Sequence, residues 1–532
     1  MTLSRGVFRI FSAAVLVAGL SLTTYSITRA DDDNNAPPPK HAKTLQERII
    51  ETQAGLHDQD LRNNRPQTFV GPELSEREKA VQALNRLSFG PTPGEVEAVT
   101  ERGWKAWATE QLDPEKIDDS ECEKVVAQRF PWVKYSMTQM EEDYGYEKGT
   151  KKRKQDGPTS IHTQLPELIV TRAALSKRQF KEIMCDFWRN HFCVDQPRLS
   201  DEKSRTWTDP DYEENVIRKF AFGNFKDMLF ASARHPAMLE YLDNKLSKRN
   251  EWNENYAREV MELHTLGADQ GYTNQDVQEL SKVLTGWGYD DSYRFKFNNQ
   301  WHQPGPKRWM GVVIPEGYEG GEQALYDLAM SRRCSEFMSE KLCRYLVNDN
   351  PPPALVKRVA SVWRDTKGNL PKVYAAIIDS KEFMSRDNYR AKFKTPFYFT
   401  ISSLRATDAK FDDLGDTCAR DAKMGQPIYN CPDPTGYRDV AESWMDAGVL
   451  TARWQFSWDL VRGDLSGVKV GDALFSRYKN LKPEEVEAKM IEDLIGGDVG
   501  DRELTALKEV AQQGDQPRMV SILLGSPSFQ QR

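Results

Sequence analysis

Several catalytic arrays are missing from this chain: there is no G-x-x-x-x-G-K-[ST], no G-x-G-x-x-G after a strand-like segment, no H-E-x-x-H, no G-x-S-x-G and no EF-hand spacing. Each array exists because its chemistry demands it, as when glycine-rich backbone cradles phosphate or two histidines one helical turn apart chelate zinc. Their absence leaves ATPase, dinucleotide and zincin chemistry without support, so no nucleotide is expected. No C-x-x-C or C-x-x-C-H occurs either, which removes thioredoxin-like and c-type haem chemistry. An excess of cations is also lacking. Lys and Arg number 73 against 80 Asp and Glu, a net charge of −7 that excludes a generally basic nucleic-acid-binding surface. The run Lys151-Lys152-Arg153-Lys154 does not alter this, because acids and glycine surround it and no aromatics interleave it; it reads as a solvated loop.

What is present describes a globular protein. Hydrophobic residues make up 39% of the 532 positions and aromatics 10%, with 13 Trp, enough burial to offset the entropy of ordering. Arg5 and Arg9 precede an apolar run from Ile10 to Leu22, and Thr28-Arg29-Ala30 offers small residues at −3 and −1 of a cleavage site. This pattern predicts a Sec-type signal peptide over 1–30: the run is short of the ~20 residues that span a bilayer, and no Arg-Arg pair marks twin-arginine export. A periplasmic or secreted protein without a transmembrane segment after cleavage is therefore expected. Residues 31–70, with Pro37-Pro38-Pro39 and few apolar side chains at the start, read as a flexible tether and lead-in.

Seven cysteines in an exported chain invite disulfides. Cys418 and Cys431 flank a loop that one bridge would close for about 3 kcal/mol, and they are the expected pair. Cys185 with Cys193, and Cys334 with Cys343, sit inside helix-like segments where a rise of ~1.5 Å per residue separates them too far to pair.

Helical periodicity dominates. Leu74 to Leu87 opens on a Ser75/Glu78 capping box and stops at Phe89-Gly90-Pro91. Further helices are predicted over 93–100, 104–112, 165–192, 212–233, 253–266, 273–285, 326–347 and 354–366. The composition changes over 286–321, where alternating Tyr293, Phe295 and Phe297 predict a hairpin or small sheet. A polar stretch at 140–158 reads as a loop insertion. Gly368-Asn369-Leu370-Pro371 leading to Ser380, Phe383 and Arg386 is repeated by Gly514-Asp515-Gln516-Pro517 leading to Ser526, Phe529 and Arg532, every pair at one constant offset. The expectation is a mainly α protein: one large multi-helical body over 71–532, with a small β-hairpin excursion and a duplicated C-terminal helical unit whose copies end at 386 and 532.

Polar side chains concentrate between Asp186 and Lys307, where four of the seven histidines fall. Asn255, Arg258, Glu259 and Glu262 lie at i, i+3, i+4 and i+7, on one helical face. That stripe is either a solvated, ion-paired face or a site at which carboxylates one turn apart position a water or a metal. Asp276 stands third after Thr273, where it either caps a helix or contributes an acid. His191, among large apolar residues, is either a core histidine or a site group, and His302 lies five residues before Lys307.

The strings Leu84-Asn85-Arg86-Leu87-Ser88-Phe89-Gly90-Pro91-Thr92, Asn190-His191-Phe192, His235-Pro236-Ala237-Met238-Leu239, Asn253 to Glu259, Glu262 to Gly267, Gly271-Tyr272-Thr273 and Thr285-Gly286-Trp287 resemble the bacterial family catalogued as domain of unknown function 1800. The resemblance runs from about Leu74 to Arg532. It implies an exported protein without an assigned activity, often encoded beside a second exported family that resembles sulfatases. Two positions depart from the family pattern: Arg189 stands where a His is usual, and Gln303 where an Asp is usual. Two functions follow. In one, His191, Glu259, Glu262, His264 and Asp276 are catalytic, Asn255, Arg258, His302 and Lys307 hold substrate, and a divalent metal is an open option for hydrolysis or group transfer on an envelope or extracellular substrate. In the other, the chain is a non-catalytic helical partner of a co-exported sulfatase-like protein, and the same residues are structural.

Overall fold

Helix starts follow the side chains the sequence supplies for them. In the computed structural model, Ser75, Ser136 and Thr273 each cap a helix reciprocally with the residue three places on, Glu78, Gln139 and Asp276. Asn224, Ser331, Asn369, Thr395, Asp446 and Asp515 accept backbone N–H bonds at other starts. The structure describes residues 73–532 apart from 146, 148–153, 155–159, 195–206, 269 and 498. The expected signal peptide and tether lie outside the described residues, as does most of the expected loop at 140–158, whose first positions belong to the helix Met137–Tyr144.

Among the described residues the protein is mainly helical, with only three two-stranded antiparallel sheets. The described residues belong to one compact unit. The aromatic excursion folds as two hairpins, Trp287–Tyr289 with Phe295–Phe297 and Lys307–Trp309 with Val312–Ile314. The third pair, Lys410–Phe411 with Val468–Lys469, joins segments too short to carry a strand pattern. No helix among the described residues is long and apolar enough to cross a membrane.

Several long helical stretches are cut by single polar residues. Residues 165–192 divide into Ile161–Leu175 and Gln179–His191 at an extended Ser176, whose hydroxyl donates to Asp119. Residues 326–347 divide at Ser331, which caps Arg332–Leu346. Residues 212–233 divide three ways: Thr208–Tyr212, a π-helical turn Glu213–Arg218, and Phe225–Arg234 after the Asn224 cap. In each case side-chain bonds to backbone compete with the helix, an effect apolar periodicity does not register.

The helix Gln179–His191 runs through the core. Trp188 is fully buried, donates from Nε1 to Tyr374 Oη at 2.7 Å, and packs near Phe187, His191 and Phe225. The Tyr374 hydroxyl donates in turn to Ala221 O at 2.8 Å. Burying one such indole contributes at most about 4–6 kcal/mol, which fixes the helix end that carries Arg189, Asn190 and His191.

The duplicated unit repeats in three dimensions. Gly368 and Gly514 both adopt positive φ (74° and 70°), Asn369 and Asp515 cap Leu370–Ile378 and Gln516–Gly525, and Ser380 and Ser526 each accept the N–H of a buried Phe, Phe383 and Phe529. The chain after the first copy pairs with the end of the second, Lys392 with Arg532 and Lys394 N with Gln530 O.

The expected Cys418–Cys431 disulfide is not formed, and no disulfide joins any of the seven cysteines. Cys418 sits on the helix Gly415–Lys423 with Asp421, Glu167 and Arg129 as its charged neighbours, whereas the Cys431 thiol donates to Asp433 O at 3.4 Å. A short loop in sequence does not bring the thiols together, because the helix fixes the direction of one of them.

Candidate functional site

The C-terminal turn of the helix Gln179–His191 carries three consecutive polar side chains, and each is held differently. Arg189 makes a two-pronged ion pair with Glu213, at 2.9 and 3.0 Å, and reaches Asp186 at 3.4 Å. Glu213 opens the π-helical turn and also accepts the Tyr429 hydroxyl at 2.8 Å. Such turns displace a side chain from its helical position and occur at functional sites. Asn190 clasps the segment 431–439, donating to Tyr437 O at 2.8 Å and accepting from Tyr437 N at 2.7 Å. Gly436 makes that approach feasible: its φ is 71°, and a Cβ there would stand 2.3 Å from Asn190 O. Between this helix end and the clasped segment lies a cleft of about 40 Å³ lined by Asp186, Arg189, Asn190, Cys193, Tyr429 and Cys431.

His191, the third residue, bridges two elements. Its Nε2 lies 3.2 Å from His264 O and donates to it, which leaves Nδ1 to accept from Lys341 Nζ at 2.9 Å. His264 follows the end of the helix Asn255–Glu262, in a turn instead of on the helix, and its ring stands 5.9 Å from His191 and 5.1 Å from Phe192. Both rings are buried, and His264 Nδ1 has no partner among the described residues. Burial, followed by the nearby Lys341 cation, drives the His191 pKa well below its ordinary value and that of His264 to about 3, so both imidazoles are neutral at pH 7. Lys341, on Arg332–Leu346, is half-buried and has no carboxylate within ion-pairing distance among the described residues. Burial, reinforced by Arg344, lowers its pKa to about 8, with Asp439 pulling the other way.

Glu259 lies within electrostatic reach of Asp433 in the clasped segment and of Glu262 on its own helix. Burial raises the Glu259 pKa, and so do the charges of Glu262 and Asp433, against the opposing Arg258. The clasped segment thus runs from Asp433, beside Glu259, past Asn190 to Asp439, which accepts Lys392 Nζ at 2.9 Å. Asn255 and Arg258 are engaged elsewhere, Asn255 with Asp243 at 3.3 Å and Arg258 with Glu254 at 3.1 Å and Asn274 at 3.3 Å.

The remaining predicted site residues form a separate hydrogen-bonded group at the β excursion. His302 donates from Nδ1 to Thr285 O at 2.9 Å and accepts at Nε2 from Gly317 N and Lys307 Nζ, each at 3.1 Å. Lys307 also donates to Gln303 O. Asp276 accepts from Thr273 N and Oγ1 at 2.8 and 2.7 Å and from Met310 N at 2.8 Å, so it caps its helix and ties down the second hairpin turn. The residues read from the sequence as one site thus separate: His191 meets His264 at one place, and Asp276, His302 and Lys307 serve the β excursion at another. Replacement Asp276→Ala is expected to lower stability by about 1 kcal/mol in urea denaturation, while leaving the Lys341–His191 centre untouched. A loss of that centre's chemistry in the variant would tie Asp276 back to the site.

Among the described residues one acidic trio has metal-ligand proximity, Glu97, Glu492 and Asp493. Lys489 Nζ already occupies its centre, at 2.9, 2.8 and 2.9 Å from the three carboxylates, so an ammonium supplies the positive charge that an ion would bring.

Lys341, Asp186, Glu213, Tyr429, Asp433 and Asp439 escaped the sequence reading. Lys341 is 150 residues from His191 and belongs to an ordinary amphipathic helix. The π turn has no composition of its own.

The family model described as "Protein of unknown function (DUF1800)" matches residues 82–531. The chain belongs to the DUF1800 family. No curated protein and no solved structure matches it. Both the His191 and the His264 strings lie inside the DUF1800 match, and so does Lys341.

Proposed function

We propose that this DUF1800 protein is a hydrolase or group-transfer enzyme that acts on an envelope or extracellular substrate, with Lys341 as its general base. The observation that supports this is a lysine with no carboxylate partner among the described residues, whose ammonium hydrogen bonds a neutral imidazole nitrogen 2.9 Å away. Structural lysines are ordinarily ion-paired or solvated. Burial, with the Arg344 charge, keeps this lysine close to losing its proton while His191 Nδ1 holds it in place, which suits a base working near pH 8. His191 is a positioning residue here: its bond to His264 O sets the tautomer that presents Nδ1 to the lysine. Asp186, on the helix that carries His191, adds a carboxyl whose pKa is raised by burial and which accepts the Tyr345 hydroxyl at 3.0 Å. The reading needs no metal.

The test does not require the substrate. The purified protein is treated with a limiting amine-reactive sulfonyl fluoride across pH 6–10 and mapped by mass spectrometry. Lys341 is expected to label with a midpoint near pH 8, well ahead of surface lysines, and His191→Phe is expected to move that midpoint. A midpoint above 10, equal to that of exposed lysines, would sink the proposal.

Export through a Sec-type signal peptide is part of the same proposal. A second reading, a helical partner for a co-exported sulfatase-like protein, draws on exposed apolar side chains: Trp454 at 69% and Val313 at 60%. Affinity capture of that protein from envelope extracts, lost on Trp454→Ser or Val313→Asp, would favour it.

A further inference from the structure

Cys193 and Cys431 lie far apart along the chain but line one cleft, the space of about 40 Å³ at the end of the helix Gln179–His191. Both are buried, and no disulfide joins them in this structure. The space has room for about three waters, so only a narrow gap parts the walls that carry the two thiols. The backbone beside each cysteine is held. Phe192 O accepts the Tyr212 hydroxyl at 3.2 Å, and Asn430 O accepts the Tyr437 hydroxyl at 3.2 Å. Asn190 ties the two stretches together through Tyr437 N and O. Closing the gap therefore calls for rotation of two short side chains more than for movement of the backbone, which is the condition that disulfide geometry sets.

The other five cysteines are placed differently. Burial pushes the thiols of Cys122, Cys185, Cys334, Cys343 and Cys418 up, that of Cys185 to about 12, which keeps them protonated and slow to exchange. None of them is among the described residues that line the cleft. Closeness in sequence points Cys431 toward Cys418, whereas the folded chain sets Cys193 in the same wall.

We propose that Cys193 and Cys431 are a redox-reversible pair that closes into a disulfide across this cleft and fastens the segment 431–439 to the helix end. The thiolate of one cysteine attacks a sulfur of an external disulfide, whose S–S bond breaks; a mixed disulfide forms and one thiolate leaves. The second cysteine thiolate then attacks the protein sulfur of that mixed disulfide and expels the other half of the reagent. Two protons and two electrons pass from the pair to the external disulfide, which ends as two thiols. The oxidised form holds the segment by a covalent bond in addition to the Asn190 hydrogen bonds, and the reduced form by the hydrogen bonds alone. The pair does not depend on the role proposed for Lys341, and the export proposed above would set it in an oxidising compartment.

The full chain is incubated under native conditions with oxidised glutathione or with dithiothreitol, quenched in acid, alkylated in denaturant and mapped by mass spectrometry without reduction. A cross-linked peptide through Cys193 and Cys431 is expected with oxidised glutathione and not with dithiothreitol, the other five cysteines being alkylated in both. The oxidised form is expected to melt about 3–6 °C higher, and Cys193→Ser or Cys431→Ser to remove that difference. A cross-link through any other cysteine, glutathione left on both, or both alkylated after oxidation would each overturn the proposal. A cross-link that leaves Tm unchanged would overturn the fastening. Should either variant fail to fold, the map of the wild type decides by itself.

Discussion

Replacing Arg189 with Met is expected to cost about 3–5 kcal/mol of stability. Glu213 is 1% exposed on its side chain, and Arg189 supplies two of its hydrogen bonds. With the guanidinium gone, the buried carboxylate keeps the Tyr429 hydroxyl as its side-chain hydrogen-bond partner among the described residues and the more distant Arg218 charge. Asp186 loses its Arg189 contact at the same time. The pair itself need contribute little net stability, because desolvating both ions offsets most of their attraction. The double variant Arg189→Met/Glu213→Gln is therefore expected to recover much of the loss, and urea denaturation of the four proteins of the cycle gives the coupling directly. Additive losses, with no recovery in the double variant, would mean that the two charges do not depend on one another.

Acid is expected to unfold the protein through its buried imidazoles. The folded pKa of His264 is about 3 and that of His191 is also far down, both below the 6.5 of a free histidine. As pH falls through 6.5 the unfolded chain takes up protons that the folded chain refuses, so stability is fully present above 6.5 and is lost downward toward 3. Each unit of pH costs about 1.4 kcal/mol per independent group, or about 3 kcal/mol for His264 alone by pH 4. Asp186, Asp421 and Glu259 work in the opposite direction. Their folded pKa values are raised, so their contribution is present in acid and lost as pH rises. The informative quantity is therefore the difference between the wild type and His264→Gln, followed by denaturant titration from pH 7 to pH 4. The variant is expected to lose less on acidification by about 3 kcal/mol. Parallel pH dependences would show that the His264 ring is already protonated in the folded state or open to water.

The two expectations concern neighbouring residues that the sequence treated unequally. His191 stood out by its histidine and its aromatic surroundings, and the structure does bring it against His264, a residue 73 positions later. Glu259 and Glu262 were legible as one helical face because 3.6-residue periodicity is a local property. Lys341 was not legible, since its hydrogen bond to His191 depends on how two amphipathic helices pack. Asp276, His302 and Lys307 were drawn into one imagined cleft by closeness in sequence. In space their bonds to Thr273, Thr285 and Gly317 hold caps and hairpin turns together. A capping box and a catalytic acid look alike in a string of letters, because both place a carboxylate beside an N-cap threonine.

By itself the sequence determined the mainly helical class, the reciprocal caps at Ser75 and Thr273, the β-hairpin character of the excursion and the duplicated glycine–proline unit, because caps, turns and periodicity act within a few residues. Only the tertiary structure decided which thiols stay apart, which histidine meets a lysine, and where the clasped segment closes over Asn190. Those outcomes depend on the directions in which rigid helices hold side chains far apart along the chain. Burial then moves the proton affinities of the groups so enclosed, and no short stretch of sequence records either effect.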